Sequence, residues 1–429
     1  MAQNFLNPIS KRPPPLPIGD KAAQLRAGGP KRALPLPSLA TARIARSKLS
    51  SSQLISLPRP ELTVDLLAGQ LTLEKLSSTV RLLQTERAGS CFTRPQLTGG
   101  EPGALVLHNG KRDVYVIGDL HGNKARLDIA LKEIGPRLYS GEAELVFLGD
   151  LIHPENGSSE DNLRQMAPSR EVLDAVVMLK NEFPDQIQVL LGNHDIIAQT
   201  RKAFDAVYDY LDKPGSTSLL VQVGLQLNDT EFEEIMIFKQ SRTKDGQKGP
   251  AVASAIEYLL QLCSQLKAAG RTREEIWQVV SSYQSFYDAC PLALIIEGEQ
   301  NSVYLAHSGV VNRRVEISRA HLIEARSDPE LKKQLLWNRA TAKDFKKKYG
   351  VTDIDRTLRS LGIPNGYIIS GHVRDTGGQW KHSPLPDPSQ WIVHGNIKDS
   401  FGLVLISNGC PSEVDLSPLL TTAELKAVV

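Results

Sequence analysis

Ile117-Gly118-Asp119-Leu120-His121-Gly122, Leu148-Gly149-Asp150 and Leu191-Gly192-Asn193-His194-Asp195 decide how this chain of 429 residues reads. Each segment follows an apolar, β-rich run and ends in a turn. The runs at 114–117, 144–148 and 186–191 predict strands, and the 3.6-residue periodicity of 123–138 and 170–182 predicts helices between them. Strand and helix in alternation imply an α/β core whose strands feed loops at their C-terminal ends, where a rigid sheet presents reactive groups. Two further histidines stand in the same setting, in Leu305-Ala306-His307-Ser308-Gly309 and Ile369-Ser370-Gly371-His372.

The residue types suggest what such a set can do. Side chains at i and i+2 of an extended segment share a face, so Asp119 and His121 can grip one cation. A carboxylate at a strand end, Asp150, can bridge two cations, with Asn193, His307 and His372 completing the ligand set of the second ion. Mixed carboxylate, amide and imidazole donors suit Mn²⁺, Fe or Zn²⁺ better than Ca²⁺. Two such ions about 3.5–4 Å apart acidify a shared water and clamp both ends of an in-line displacement at phosphorus. Singly, each motif has a blander meaning: Gly-Asp after a strand is a turn, and Gly-Asn-His-Asp is a helix cap. Five of them in this order, each after an apolar strand, point to a shared site.

Together the five motifs resemble the metallophosphoesterase series in the version used by phosphoprotein phosphatases, over roughly residues 113–408. Phe286-Tyr287-Asp288-Ala289-Cys290-Pro291-Leu292-Ala293 resembles that family's approach to its metal histidine, and Leu335-Leu336-Trp337-Asn338 resembles its LLW segment. The resemblance implies an α/β, calcineurin-like fold: a central β-sandwich flanked by helices, with the site at one sheet edge. It implies that Asp119, His121 and Asp150 hold a first metal, that Asp150, Asn193, His307 and His372 hold a second, and that His194 protonates the leaving oxygen. Chemistry agrees on the last point, since an alkoxide leaves poorly without a proton and histidine titrates near neutrality. The expected cofactors are two divalent ions, Mn²⁺ ahead of Fe or Zn²⁺, and the expected substrate is a phosphorylated protein.

One motif departs from the pattern. The family's second motif runs GDxVDRG, whereas this chain has Gly149-Asp150-Leu151-Ile152-His153-Pro154-Glu155. His153 stands where an aspartate would orient the catalytic histidine, and Pro154 replaces the arginine that grips the phosphate. Asp195 or Glu155 could orient His194 instead. His153 could itself donate to phosphate, as could Lys124, Arg339, Arg356 or Arg374, with Arg374 and Arg339 favoured because each lies near a matched motif. A phenolate leaving group, with a pKa near 10, needs less acid help than an alkoxide, so the break suggests a phosphotyrosine substrate. A dinucleoside-polyphosphate hydrolase or phosphodiesterase on the same site, and a pseudophosphatase adaptor that binds phosphoproteins, are the competing expectations.

Outside the motifs the chain is ordinary. Hydrophobic residues make up 41%, charged residues 23%, and the net charge of +2 provides no field for nucleic acid. Four separated cysteines without a CxxC predict a reducing compartment. No apolar run is long enough to span a bilayer, and the start lacks the apolar core of a signal peptide, so a soluble chain is expected. Residues 1–60, basic and rich in proline, read as a disordered tail, with Pro13-Pro14-Pro15-Leu16-Pro17 a polyproline ligand in form. Residues 61–429 read as the catalytic domain. The long stretch between His194 and His307 implies a helical insertion at about 205–272, able to wall the site or bind a partner. Tail, insertion and altered motif together resemble translocated bacterial effector phosphatases of the Wip type. Helices are also predicted at 66–83, 253–266 and 273–287, the last capped by Thr272, and strands at 292–296, 303–306, 367–370, 391–393 and 403–406. An Asn109-Gly110 pair between apolar runs predicts a hairpin of 104–107 with 114–117.

Overall fold

A computed structural model describes residues 61–85, 91–152, 159–195, 201–212, 250–312, 314–339, 349–372, 381–382, 387–393 and 400–420, with 159–167, 250–257 and 382 as backbone only. The tail, His153, Pro154, Glu155 and Arg374 lie outside the described residues. All described residues fall in one compact unit, Arg59–Val429.

Two mixed sheets face each other. The larger runs β1(Phe92–Thr93), β2(Leu105–His108), β6(Ala293–Glu297), β7(Ser302–Ala306), β8(Tyr367–Ser370), β10(Gln390–Val393) and β9(Lys381–His382). The smaller runs β12(Cys410–Asp415), β11(Gly402–Ser407), β3(Asp113–Ile117), β4(Ala143–Phe147) and β5(Ile187–Val189). Their facing side chains form one apolar core: Val114, Val116, Val146 and Val404 from the smaller sheet meet Val106, Leu294, Val303, Leu305 and Ile369 from the larger. β4 is buried at all five residues, as a central parallel strand covered on both faces must be.

Helices cover the flanks: α1(Val64–Ala68), α2(Leu73–Gln84), α3(Lys124–Ser140), α4(Ser159–Glu182), α5(Arg201–Asp212), α6(Pro250–Ala268), α7(Arg273–Ala289), α8(Arg319–Glu324), α9(Pro329–Trp337) and α10(Val351–Ser360). Thr272 caps α7 with a reciprocal capping box to Glu275, and Asn123 caps α3. α4 packs on α1, α2 and α6, so the predicted insertion meets the core through α6, while its middle, 213–249, lies outside the described residues. Among the described residues no helix is long and apolar enough to cross a membrane.

One expectation fails. Asn109-Gly110 does not close a hairpin, because β2 belongs to the larger sheet and β3 to the smaller. The turn carries the chain from one sheet to the other, and Gly110, at φ 63°, lies so close to the backbone of Glu297 that a Cβ would meet its carbonyl oxygen at 2.2 Å. The tight hairpin is Asn408-Gly409, both at positive φ, which joins β11 to β12 with Ser407 opposite Cys410. β12 alternates weakly and is largely exposed, so its sequence gives little strand signal.

Candidate metal centre

The sheets bring five strand ends to one place. β3, β4 and β5 run parallel in the smaller sheet and lead to Asp119, Asp150 and Asn193. β7 and β8 run parallel in the larger and lead to His307 and His372. Two ligand groups result, sharing one carboxylate: Asp119, His121 and Asp150, and Asp150, His307 and His372, the donor atoms of each within 4.8 Å of one another.

Local geometry departs from the extended segment expected for 119–121. His121, Asp150 and His372 have φ of 48°, 51° and 66°, a left-handed conformation that costs roughly 1–3 kcal/mol each. Backbone hydrogen bonds over-determine it. Leu120 and His121 N–H both donate to Asp150 O, Gly122 N–H donates to Leu151 O, and Gly371 N–H donates to His307 O. The turn, not strand pleating, brings His121 Nε2 to 3.9 Å from Asp119 Oδ2 and 3.8 Å from Asp150 Oδ2.

Asp195 takes a different part from the one the sequence suggested. Its carboxylate accepts Asp150 N–H and Leu151 N–H at 2.8 Å and Gly192 N–H at 2.9 Å, so it splices the second motif to the third. Burial, then the charge of Asp150, pushes its carboxyl up to about 7. His194 N–H donates to Asp150 Oδ1 at 2.7 Å, and the His194 ring, half-buried, packs edge-on against His121 at 5.2 Å and beside Trp337 at 6.3 Å. Glycine at 192 is required: a Cβ there would meet Asp150 N at 2.1 Å and Asp150 Oδ1 at 2.3 Å.

On the other side, Asn193 Oδ1 lies 2.7 Å from both His307 Nε2 and His372 Nδ1. His307 Nε2 is also 3.4 Å from Asp150 Oδ2. Burial opposes charge on both rings. Asp150 and Asp119 overcome it for His307, which is raised to about 9, whereas His372, facing His307 and Arg339, falls well below the usual imidazole range. Asp150 is buried too, yet the imidazoles of His307, His194 and His121 hold it well below the usual carboxylate range.

The donor set fits two divalent cations. Asp119, Asp150 and Asp195 are 1–3% exposed in one loop cluster, a costly arrangement unless positive charge sits among them. Three acceptor or ligand atoms from different loops, on Asn193, His307 and His372, converge on one small space.

A third group, Cys91, His108 and Glu144, lies at the opposite strand ends. There Gly110 N–H donates to His108 Nδ1, which leaves the ring proton on Nε2 against Glu144 and no lone pair for an ion.

Of the expected phosphate cations, Arg339 stands at the site, exposed, with Nε 3.3 Å from His372 Nε2. Lys124 is held by Asp65 and Glu171, at 2.5 and 2.9 Å. Arg356 donates to the carbonyls of Val311 and Val315. Sequence reasoning missed Asn338 and Gly371. Both stand inside motifs quoted from the sequence, Leu335-Leu336-Trp337-Asn338 and Ile369-Ser370-Gly371-His372, but what each touches is set by residues distant in the chain.

The sandwich, a carboxylate common to two ligand groups and a histidine-rich donor set are the features of a metal-dependent phosphoesterase. The model of the calcineurin-like phosphoesterase family matches residues 113–373, more than half of the chain, and the chain belongs to that family. No curated protein matches it in sequence. Among solved structures it is similar to a protein serine/threonine phosphatase from Saccharomyces cerevisiae with similarity to human phosphatase PP5, at 15% identity and TM-score 0.42, over 81% of this chain and 84% of that one. It is also similar to a hypothetical protein from Pyrococcus horikoshii OT3, at 12% identity and TM-score 0.34, over 74% and 97%.

Proposed function

We propose that this phosphoesterase is a protein phosphatase that hydrolyses phosphomonoesters on side chains, with phosphotyrosine preferred. The observation that carries the hydrolytic reading is Asp150, shared by both ligand groups and splinted by Asp195. The step to a protein substrate is supported by the phosphoprotein-phosphatase form of the motifs, including the LLW segment that contributes Trp337 and, two residues on, Arg339.

Asp119, His121 and Asp150 would hold one divalent ion, and Asp150, Asn193, His307 and His372 the other, Mn²⁺ being the proposed native metal. When bound, the pair supplies an acidified water and neutralises charge on the phosphoryl oxygens. The protein's own groups do the rest. Arg339 Nε–H donates to His372 Nε2 at 3.3 Å, which holds the guanidinium beside this candidate ligand, where its other N–H groups would grip a non-bridging phosphoryl oxygen. Trp337 walls the space between His194 and His372. His194, half-buried at the rim, protonates the leaving oxygen. With His153 where the family has its orienting aspartate, acid assistance by His194 would be weak, which favours a phenolate leaving group over an alkoxide.

The test is a substrate panel with Mn²⁺: phosphotyrosine and phosphoserine peptides of one sequence, an aryl phosphate and a dinucleoside tetraphosphate. Faster turnover of the phosphotyrosine peptide supports the reading. Preference for phosphoserine ends the tyrosine proposal, preference for the tetraphosphate ends the protein-phosphatase one, and metal binding without turnover marks an adaptor.

A further inference from the structure

The segment after His307 is joined to α9 by a row of polar contacts too specific for simple packing. Ser308 N–H donates to Leu335 O at 2.9 Å, and Ser308 Oγ donates to Gln334 O. Asn312 N–H donates to Gln334 Oε1 at 2.8 Å, while Gln334 Nε2 donates back to Asn312 Oδ1 at 3.3 Å. The row ends at Asn338, the residue that caps α9 and precedes Arg339.

Asn338 is 4% exposed, and its carboxamide uses both ends. Nδ2 donates to Val310 O at 2.7 Å, and Oδ1 accepts Arg339 N–H at 3.1 Å. One rigid, planar side chain thus ties the backbone of Arg339 to the loop that leaves His307. Arg339 is otherwise exposed, with a long side chain that would lose much rotamer freedom on gripping an anion. Fixing its backbone removes part of that cost in advance.

We propose that Asn338 is a positioning residue, which sets Arg339 against His372 so that the guanidinium meets the substrate's phosphoryl group. The inference rests on the proposed hydrolytic function and adds a specific residue to it. Asparagine suits the position because the contact needs one donor and one acceptor in one plane. Aspartate keeps the acceptor towards Arg339 but loses the donor towards Val310, and alanine loses both.

The test is a double-mutant cycle on the metal-loaded protein with an aryl phosphate. Arg339→Ala is expected to raise KM about ten-fold or more, the scale of a lost charge-assisted hydrogen bond. Asn338→Ala should raise KM about five-fold, with two metal ions retained, and Asn338→Asp should fall between it and the wild type. In the Arg339→Ala background, Asn338→Ala should change KM less than about two-fold, because the group through which it acts is gone. Additive effects, or loss of metal with KM unchanged, would overturn the assignment. Asn338→Asp, of nearly equal size, keeps the test open if the alanine variant fails to fold. A wild type that hydrolyses none of the substrates fails the proposed function instead, an outcome distinct from additivity in an active enzyme.

Discussion

His307 Nδ1 lies 3.0 Å from the carbonyl oxygen of Leu148, and this bond aims Nε2 at Asn193 and Asp150. The ring is oriented by the strand that also delivers the bridging carboxylate, an outer hydrogen bond of the kind that fixes metal-binding histidines.

From that orientation follows a proton count. Asp150 and Asp119 raise His307 to about 9, so at pH 7.5 without metal Nε2 carries a proton where a cation would bind. Binding must expel it, and affinity should rise with pH up to about 9. Calorimetric titration with Mn²⁺ in two buffers of different ionisation enthalpy should show about one proton released per chain at pH 7.5. Proton-neutral binding would count against this arrangement.

Gly371 has no room for a side chain. A Cβ there would meet Asp119 Oδ1 at 2.1 Å, and Asp119 also accepts His372 N–H at 2.9 Å. Gly371→Ala is therefore expected to displace the Asp119 carboxylate, with loss of one ion and at least about 100-fold in turnover. The change in melting temperature should be only a few degrees, because the strand that leads into the residue is intact. Metal analysis beside a thermal melt checks both halves.

Asp174, a member of neither ligand group, gives a pH test of stability. Burial raises its carboxyl to about 6, despite Arg170 at 3.5 Å and a hydrogen bond from Tyr283. A carboxyl raised by folding binds its proton more tightly in the native state, so its contribution is present below about pH 4 and lost as pH rises through 6. Asp174→Asn should gain on the wild type by roughly 3 kcal/mol between pH 4 and 7. Urea unfolding at the two pH values measures the difference.

Thr272 offers a control that touches stability alone. Its side chain accepts Glu275 N–H while Glu275 accepts Thr272 N–H. Thr272→Ala should cost about 1 kcal/mol of stability with kcat/KM unchanged.

The reactive residues were legible because their chemistry is local: a ligand must sit just past a strand end, and apolar runs before Asp119, Asp150, Asn193, His307 and His372 mark those ends in the sequence. The helix spans at 123–138 and 273–287 were legible through their periodicity, the second also through its cap Thr272. Sheet membership was not. Asn109-Gly110 carries a strong hairpin signal, yet β2 finds its parallel neighbour in β6, almost two hundred residues away, and only the packed core makes that choice. The clasp at Asn338 was hidden for the same reason, since its partner Val310 is 28 positions distant. His121 was assigned to the right neighbours through the wrong conformation, because a left-handed φ at a histidine leaves no mark in the sequence.

The bridging role of Asp150 is tested most directly by titrating metal-stripped protein with Mn²⁺ while counting bound ions and following aryl phosphate turnover. Two equivalents per chain are expected, with turnover appearing only as the second binds, and Asp150→Asn should hold fewer than one and remain inactive. Full turnover in the stripped protein, or an Asp150→Asn variant that still binds two ions, would contradict it.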